Sequence, residues 1–162
     1  MTGGPVRAAT AADAPAIRDL WNGMIRDTLA TFTTVEKTQA DIAALLAARP
    51  GAFFAADHDG AFAGFVTFGA FRSGPGYAAT VEHTVMLAPR AQGLGLGRRL
   101  MQAAEAAARG MGHHVMVAAI SGENPNATAF HACAGFAEVG RMPQVGHKAG
   151  RWLDLILMQK IL

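Results

Sequence analysis

From Pro89 to Leu100 the chain runs Pro-Arg-Ala-Gln-Gly-Leu-Gly-Leu-Gly-Arg-Arg-Leu, with glycines at positions 93, 95 and 97. The apolar stretch Thr80–Leu87 before this turn reads as a strand ended by Pro89, and the residues after it read as a helix to about Arg109. Glycines let the backbone pass close to a ligand without Cβ clashes. The helix N-terminus just beyond presents unpaired N–H groups and a partial positive charge. Together they form an anion site suited to a pyrophosphate. Two familiar phosphate loops do not fit. No G-K-[ST] follows, and a G-x-G-x-x-G pattern begun at Gly93 or at Gly95 meets Arg98 or Leu100 where its third glycine belongs.

The rest of the chain supplies a frame for that turn. Residues 6–9 read as a first strand. Thr10-Ala-Ala-Asp13 and Thr38-Gln-Ala-Asp41 resemble capping boxes. The first opens a helix with Ile17, Leu20, Met24 and Ile25 on its stripe; the second opens a helix stopped near Pro50-Gly51. Strands are predicted at 53–56 and 61–71 around Asp57-His-Asp-Gly60, and at 115–120. The last of these is apolar without alternation, as a strand buried on both faces requires. The helix after the glycines has Leu96, Leu100, Ala104 and Ala107 on its apolar side. Arg98, Gln102, Glu105 and Arg109 form its polar side. Residues 124–134 read as a helix closed by Gly135, followed by strands near 137–141 and 152–161. The order β-α-α-β-β-β-α-β-α-β-β predicts one α/β (α+β) domain over residues 1–162, a mixed central sheet with helices on both faces.

Composition narrows the function classes. The 162 residues are 51% hydrophobic and 16% charged, which excludes whole-chain disorder. No apolar run approaches the roughly 18 residues of a membrane helix. Asp13, Arg18 and Asp19 occupy the stretch where a signal peptide needs apolar residues, so a cytoplasmic location is expected. A net charge of +2 without a Lys/Arg cluster argues against nucleic acid and membrane partners. The single Cys133 excludes an internal disulfide and a cysteine zinc site, and no H-x-x-x-H occurs, so no metal is expected.

What the turn does match is Q-x-x-G-x-G at Gln92, Gly95 and Gly97, which resembles the acyl-CoA signature of the GNAT acetyltransferase superfamily. A second signature, N-x-x-A-x-x-x-[aromatic or His]-x-x-x-G-F, matches Asn124, Ala127, His131, Gly135 and Phe136. The strings Thr80-Val-Glu-His-Thr-Val85, Met142-Pro-Gln-Val-Gly146 and Lys148-Ala-Gly-Arg-Trp-Leu-Asp-Leu155 resemble the phosphinothricin and methionine-sulfoximine N-acetyltransferase group within it. The resemblance implies a GNAT fold, acetyl-CoA as acetyl donor, a homodimer, and a small amine such as an amino-acid analogue as acceptor. It implies cofactor contacts from Val85, Met86 and Leu87 on the strand, from Gln92, Gly93, Leu94, Gly95, Leu96, Gly97 and Arg98 in the turn, and from Asn124.

Acetyl transfer to an amine needs a base, an acid and a donor for the carbonyl oxygen. Glu82 is the only acid between Asp59 and Glu105 and shares a strand face with Thr84 and Met86. A carboxylate there is expected to be partly desolvated, with a raised pKa, as a base requires; a solvated Glu or an ion pair is the alternative. The N–H of Met86 or Leu87 is the expected oxyanion donor. His131 shares a helix face with Asn124 and is expected to act as acid or second base, or else as an ordinary core histidine. Cys133, two residues on, lies about 200° around the helix. It reads as a small buried thiol beside the cofactor rather than a nucleophile. On the substrate side, Arg72 is placed to meet a carboxylate. Pro75, Gly76 and Tyr77 shape the loop after it, and Phe32 offers an apolar wall; Lys148 and Trp152 serve either the site or packing. Two other activities fit the same features: acetylation of protein N-termini or other amines, and non-catalytic acyl-CoA sensing. A purely structural glycine loop is the third alternative.

Overall fold

Both Thr-x-x-Asp boxes start helices. At the second, the Thr38 N–H donates to Asp41 Oδ2 at 2.8 Å and the Asp41 N–H to Thr38 Oγ1 at 3.1 Å. At the first, the Thr10 N–H donates to Asp13 Oδ2 at 2.7 Å, but the turn is a single 3-10 turn, Ala11–Asp13, and the α-helix begins at Ala14. Asp13 is drawn aside by Arg7, whose guanidinium donates to both its oxygens at 2.8 Å and holds its carboxyl below the usual range.

The computed structural model describes residues 4–162. In chain order it contains β1 (Val6–Ala8), α1 (Ala14–Asp27), α2 (Gln39–Ala48), β2 (Phe53–His58), β3 (Ala61–Ala70), β4 (Thr80–Leu87), α3 (Leu96–Gly110), β5 (Val115–Ser121), α4 (Pro125–Cys133), β6 (Ala137–Lys148) and β7 (Arg151–Ile161). The strands form one sheet in the order β1-β2-β3-β4-β5-β7-β6, in which only β4 and β5 run parallel. Helices α1 and α2 bury Ile17 and Ile42 against Phe53, Phe65 and Met86 on one face. On the other face, α3 buries Leu96, Leu100, Met101 and Ala104 against Val66, Phe68 and Met116, with Phe130 of α4 at the margin.

Two expectations change. Glu105 is buried rather than solvated, because Lys160 of β7 reaches over α3 and donates to its Oε2 at 2.8 Å. The strand expected at 137–141 continues to Lys148, pairing with Arg151–Ile161. Pro143 and Gly146 look like breakers in the sequence. The ladder passes them through a register shift between Met142 and Gly146, with Gln144 at φ 57°.

The parallel pair positions the site. Strands β4 and β5 are in register only at Thr80–Val115, Val81–Met116 and Glu82–Val117. Beyond Glu82 each continues, β4 against β3 and β5 against β7, so the sheet splits at their C-terminal ends. Ligands of α/β sheets bind at such ends. Helices α3 and α4, which follow these two strands, both begin there.

Candidate active site

The split exposes backbone. The Ala88 N–H donates to Ala63 O at 2.8 Å and the Phe71 N–H to Thr80 O at 3.3 Å. Peptide direction alternates along a strand, so Thr80, Glu82, Thr84 and Met86 turn their peptide groups toward β3. Val85 and Leu87 turn theirs into the split. On β5, the Gly122 N–H donates to Asp154 O, which leaves Ala119 facing the split from the other side. The oxyanion donor expected at Met86 or Leu87 is therefore limited to Leu87, with Val85 as its neighbour, since the Met86 N–H is spent on β3.

Past β4, Gly93 and Gly95 adopt φ of +77° and +76°, a left-handed conformation that favours glycine. Among the described residues, the N–H groups of Gly93, Leu94, Leu96, Gly97 and Arg98 have no acceptor; the first helical bond runs from Arg99 N to Gly95 O. Gly97 has a different duty. A Cβ there would meet the Phe130 ring at 3.1 Å and Leu87 at 3.3 Å, so the glycine lets α3 seat against α4 and β4.

A cavity of about 310 Å³ fills the split. Phe32, Trp21, Met86, Asn124 and His131 are among its walls. Asn124 caps α4, its Oδ1 accepting the Ala127 N–H at 3.2 Å. Phe32 lies on Gly146, where a Cβ would meet its ring at 2.5 Å. The strap carrying Phe32 is tied down twice. Asn22 exchanges two 2.8 Å hydrogen bonds with the Lys37 backbone, and the buried Lys148 ammonium donates to Thr28 O at 2.9 Å and Thr31 O at 2.7 Å. Lys148 thus serves the site by holding its wall, and burial draws its pKa down.

Glu82 stands on the same strand face as Thr84 and Met86, two residues (about 7 Å) below Thr84, at the fork itself. It does not line the cavity wall; it is exposed to solvent and neighbours His83, which does line it. Crowding by the protein pushes its carboxyl above the ordinary range, and the positive charge of Arg49 opposes part of that shift. The direction is the expected one, with desolvation as its first cause, on a residue that is exposed to solvent.

His131 is buried and does not stand alone. Its Nδ1 lies 2.7 Å from Ala127 O, a pure acceptor, so the hydrogen-bond network places the proton on Nδ1. Its Nε2 then accepts from Nε2 of His83 at 2.9 Å. Burial lowers the pKa of both rings, that of His83 to about 3, with His131 as the second cause. His83 Nδ1 is left buried with no partner among the described residues. His83 carries no signature of its own in the sequence; alternation along β4 puts it on the buried face opposite Glu82.

This pair has a pH signature. The unfolded chain takes up protons near pH 6.5 that folded His83 refuses until about pH 3. Folding stability must therefore fall as pH drops below 6.5, by about 1.4 kcal/mol per pH unit for that one group. Urea unfolding between pH 7 and pH 5 is expected to show this slope, and His83→Phe to flatten it. An unchanged slope in the variant would place the titration elsewhere.

Comparison with known proteins agrees with this architecture. The model of the acetyltransferase (GNAT) family matches residues 18–136. The chain belongs to that family. It is 38% identical over 157 residues to the L-amino acid N-acyltransferase MnaT of Escherichia coli, covering 95% of this chain and 91% of that one. It is 40% identical over 161 residues to the L-methionine sulfoximine/L-methionine sulfone acetyltransferase of Pseudomonas aeruginosa, covering 95% and 92%. The Salmonella typhimurium protein yncA, solved with its cofactor acetyl-CoA, superposes with a TM-score of 0.94 at 37% identity, covering 99% of this chain and 95% of that one.

For a GNAT chain, the expected site residues fall into three sets. Phe32, Val85, Met86, Asn124 and His131 meet in the cavity, while Glu82 lies outside its lining, one residue before His83. Gln92, Gly93, Leu94, Gly95 and Arg98 are exposed on the turn, while Leu96 and Gly97 offer only backbone, their residues being buried. Arg72, Pro75, Gly76 and Tyr77 lie on an exposed loop outside the cavity, Tyr77 packing edge-on to Phe71 at 6.2 Å. Cys133 corrects the sequence reading. It is exposed, not a buried thiol, because its position two residues after His131 turns it away from the cavity. Among the described residues no three potential metal ligands cluster.

Proposed function

We propose that this protein is an N-acetyltransferase that moves the acetyl group of acetyl-CoA directly to the α-amine of a small amino acid, of the methionine sulfoximine or sulfone type. The observation that carries the reading is the fork between β4 and β5. Free peptide edges at Val85, Leu87 and Ala119 suit the amide-bearing arm of a coenzyme, and the open N–H groups from Gly93 to Arg98 suit its pyrophosphate. The relatives' named acceptors support the substrate class. When bound, acetyl-CoA supplies an acetyl thioester, whose C–S bond is exchanged for the C–N bond of the amide.

The chain's own residues then have distinct tasks. The cavity walls hold the acceptor still beside the fork. Glu82 takes the proton that the amine loses, directly or through one water. The Leu87 N–H faces the carbonyl oxygen as it gains charge. His131 lines the cavity as a neutral ring, its Nδ1–H on Ala127 O and its Nε2 accepting from His83, and the proton that Glu82 takes from the amine is the one available to the departing thiolate. Arg72, on its exposed loop outside the cavity, is an outer cation for an acidic acceptor. The reading includes one acetyltransferase domain and a cytoplasmic homodimer. Val139, Met142 and Val145 on β6 and Trp152 and Ile161 on β7 are exposed apolar side chains that a second copy would cover. No described helix is long and apolar enough to cross a membrane.

The test is thiol release from acetyl-CoA with L-methionine sulfoximine, L-methionine sulfone, L-phosphinothricin, common amino acids and a polyamine as acceptors. Turnover on the sulfoximine or sulfone is expected. Acetyl-CoA binding without thiol release on any amine would replace this reading with an acyl-CoA sensor.

A further inference from the structure

Glu82 has a second charged neighbour that the acetyl-transfer chemistry above does not use. Arg49 follows the last residue of α2 and sends its side chain back across the sheet. Its guanidinium lies over Gly69 of β3, so close that a Cβ at that position would meet Nη2 at 2.8 Å and Cζ and Nε at 2.9 Å. Gly69 is the direct cross-strand partner of Glu82. Side chains at such paired positions start about 5 Å apart. The glycine therefore gives up its own side-chain space to place a cation beside the Glu82 carboxylate, on the same face of the sheet.

The two charges do not pair. Among the described residues no carboxylate oxygen lies within 4.0 Å of Arg49, and its one hydrogen bond is a 3.2 Å contact from Nη1 to Thr67 Oγ1. Thr67 Oγ1 in turn donates to Ala52 O at 2.9 Å, which fixes the guanidinium from below. The guanidinium is half-buried, and four of its five N–H donors have no protein partner among the described residues. A half-buried anion acceptor is what such a fork is shaped to take. The acceptor proposed above carries its two charges on adjacent atoms, an ammonium to be deprotonated and a carboxylate next to it.

We propose that Arg49 is a substrate-binding residue: its guanidinium takes the carboxylate of the acceptor amino acid while Glu82 faces the α-amine. Arg49 and Glu82 then read the zwitterionic head group as a unit, whatever side chain the acceptor carries, and Gly69 is the residue that makes room for the reading. Arg72 remains the outer cation on its exposed loop. The proposal rests on the amino-acid acetyltransferase reading and goes beyond it in naming the group that separates amino acids from simple amines.

The experiment compares L-methionine sulfone with its carboxamide, which keeps the amine and side chain but has no carboxylate. Both are assayed with acetyl-CoA on the alkaline plateau of the pH profile, where Glu82 is ionised in every variant. The wild type is expected to prefer the acid through KM. Arg49→Met is expected to raise KM for the acid roughly 10- to 100-fold, leave KM for the amide unchanged, and bring the two to parity. Gly69→Ala, which displaces the guanidinium without removing it, is expected to move KM for the acid in the same direction, and Arg49→Lys to restore part of the preference. Unchanged acetyl-CoA affinity in each variant, by calorimetry, shows that the fold is intact. Equal losses on acid and amide would make Arg49 a structural or electrostatic support for Glu82 and overturn the proposal; so would a collapse of the preference in Arg72→Met with Arg49→Met retaining it. A wild type that acetylates the amide but shows no preference for the acid also overturns it, whereas a wild type silent on both overturns the acceptor class itself.

Discussion

Glu82→Gln is expected to lower kcat/KM for the acceptor by about 10²- to 10⁴-fold, the usual worth of a positioned general base. Acetyl-CoA affinity should stay within about twofold, because Glu82 lies at the fork and the coenzyme contacts proposed here are backbone groups farther along. The pH profile makes the assignment specific. A base works only as the carboxylate, so activity falls as pH drops through its folded pKa. Desolvation raises that pKa above the ordinary 4.5, and Arg49 limits the rise. The wild-type profile is therefore expected to have an acidic limb above pH 4.5 that is missing in Glu82→Gln, whose residual rate follows the deprotonation of the free amine alone. A variant that keeps a third or more of the wild-type rate, or keeps the same acidic limb, would move the base elsewhere.

The position of Glu82 also separates what the sequence contained from what it could not. Local rules were enough for β4. Its ends at Thr80 and Leu87 follow from composition and Pro89, and period-two alternation puts Glu82 on one face with Thr84 and Met86. The Thr38–Asp41 box started α2 as expected, because both of its bonds lie within four residues. Features built from distant segments were illegible. That β4 and β5 pair over only three residues depends on how β3 and β7 draw them apart, and the register of β4 on β3 decides that Leu87 rather than Met86 offers its N–H to the gap. Nothing in the sequence links Arg49 to Gly69, twenty residues on, over which its guanidinium lies. His83 and His131 are 48 residues apart. Glu105 follows a clean polar stripe on α3, yet Lys160 at the far end of the chain closes over it. A helical wheel cannot see a covering strand.

The glycine turn is where sequence and structure coincide most closely, and it gives the second large effect. Gly95→Val is expected to weaken acetyl-CoA binding about tenfold or more. The position has φ +76°, and left-handed backbone costs an L residue about 1–2 kcal/mol, more so when the side chain is β-branched. The N–H groups of Leu96, Gly97 and Arg98 are aimed by that one residue, since Gly95 is the N-cap and its carbonyl starts the α3 ladder at Arg99. Relaxing the strain means rotating the first turn, which turns the donors away from a common point. Nothing lies within 4 Å of a Cβ at Gly95, so the loss would not come from a packing clash. Gly23→Ala is the matched control: it too has open space around it but sits inside α1, where replacing glycine stabilises a helix by about 0.5–1 kcal/mol. Calorimetric titration with acetyl-CoA should therefore separate the two, Gly23→Ala binding as the wild type does. Because the donors act through charge, the affinity lost in Gly95→Val should be largest at low salt and shrink as ionic strength rises. Wild-type affinity in Gly95→Val would mean that the open N–H groups of this turn do not hold the coenzyme's phosphates.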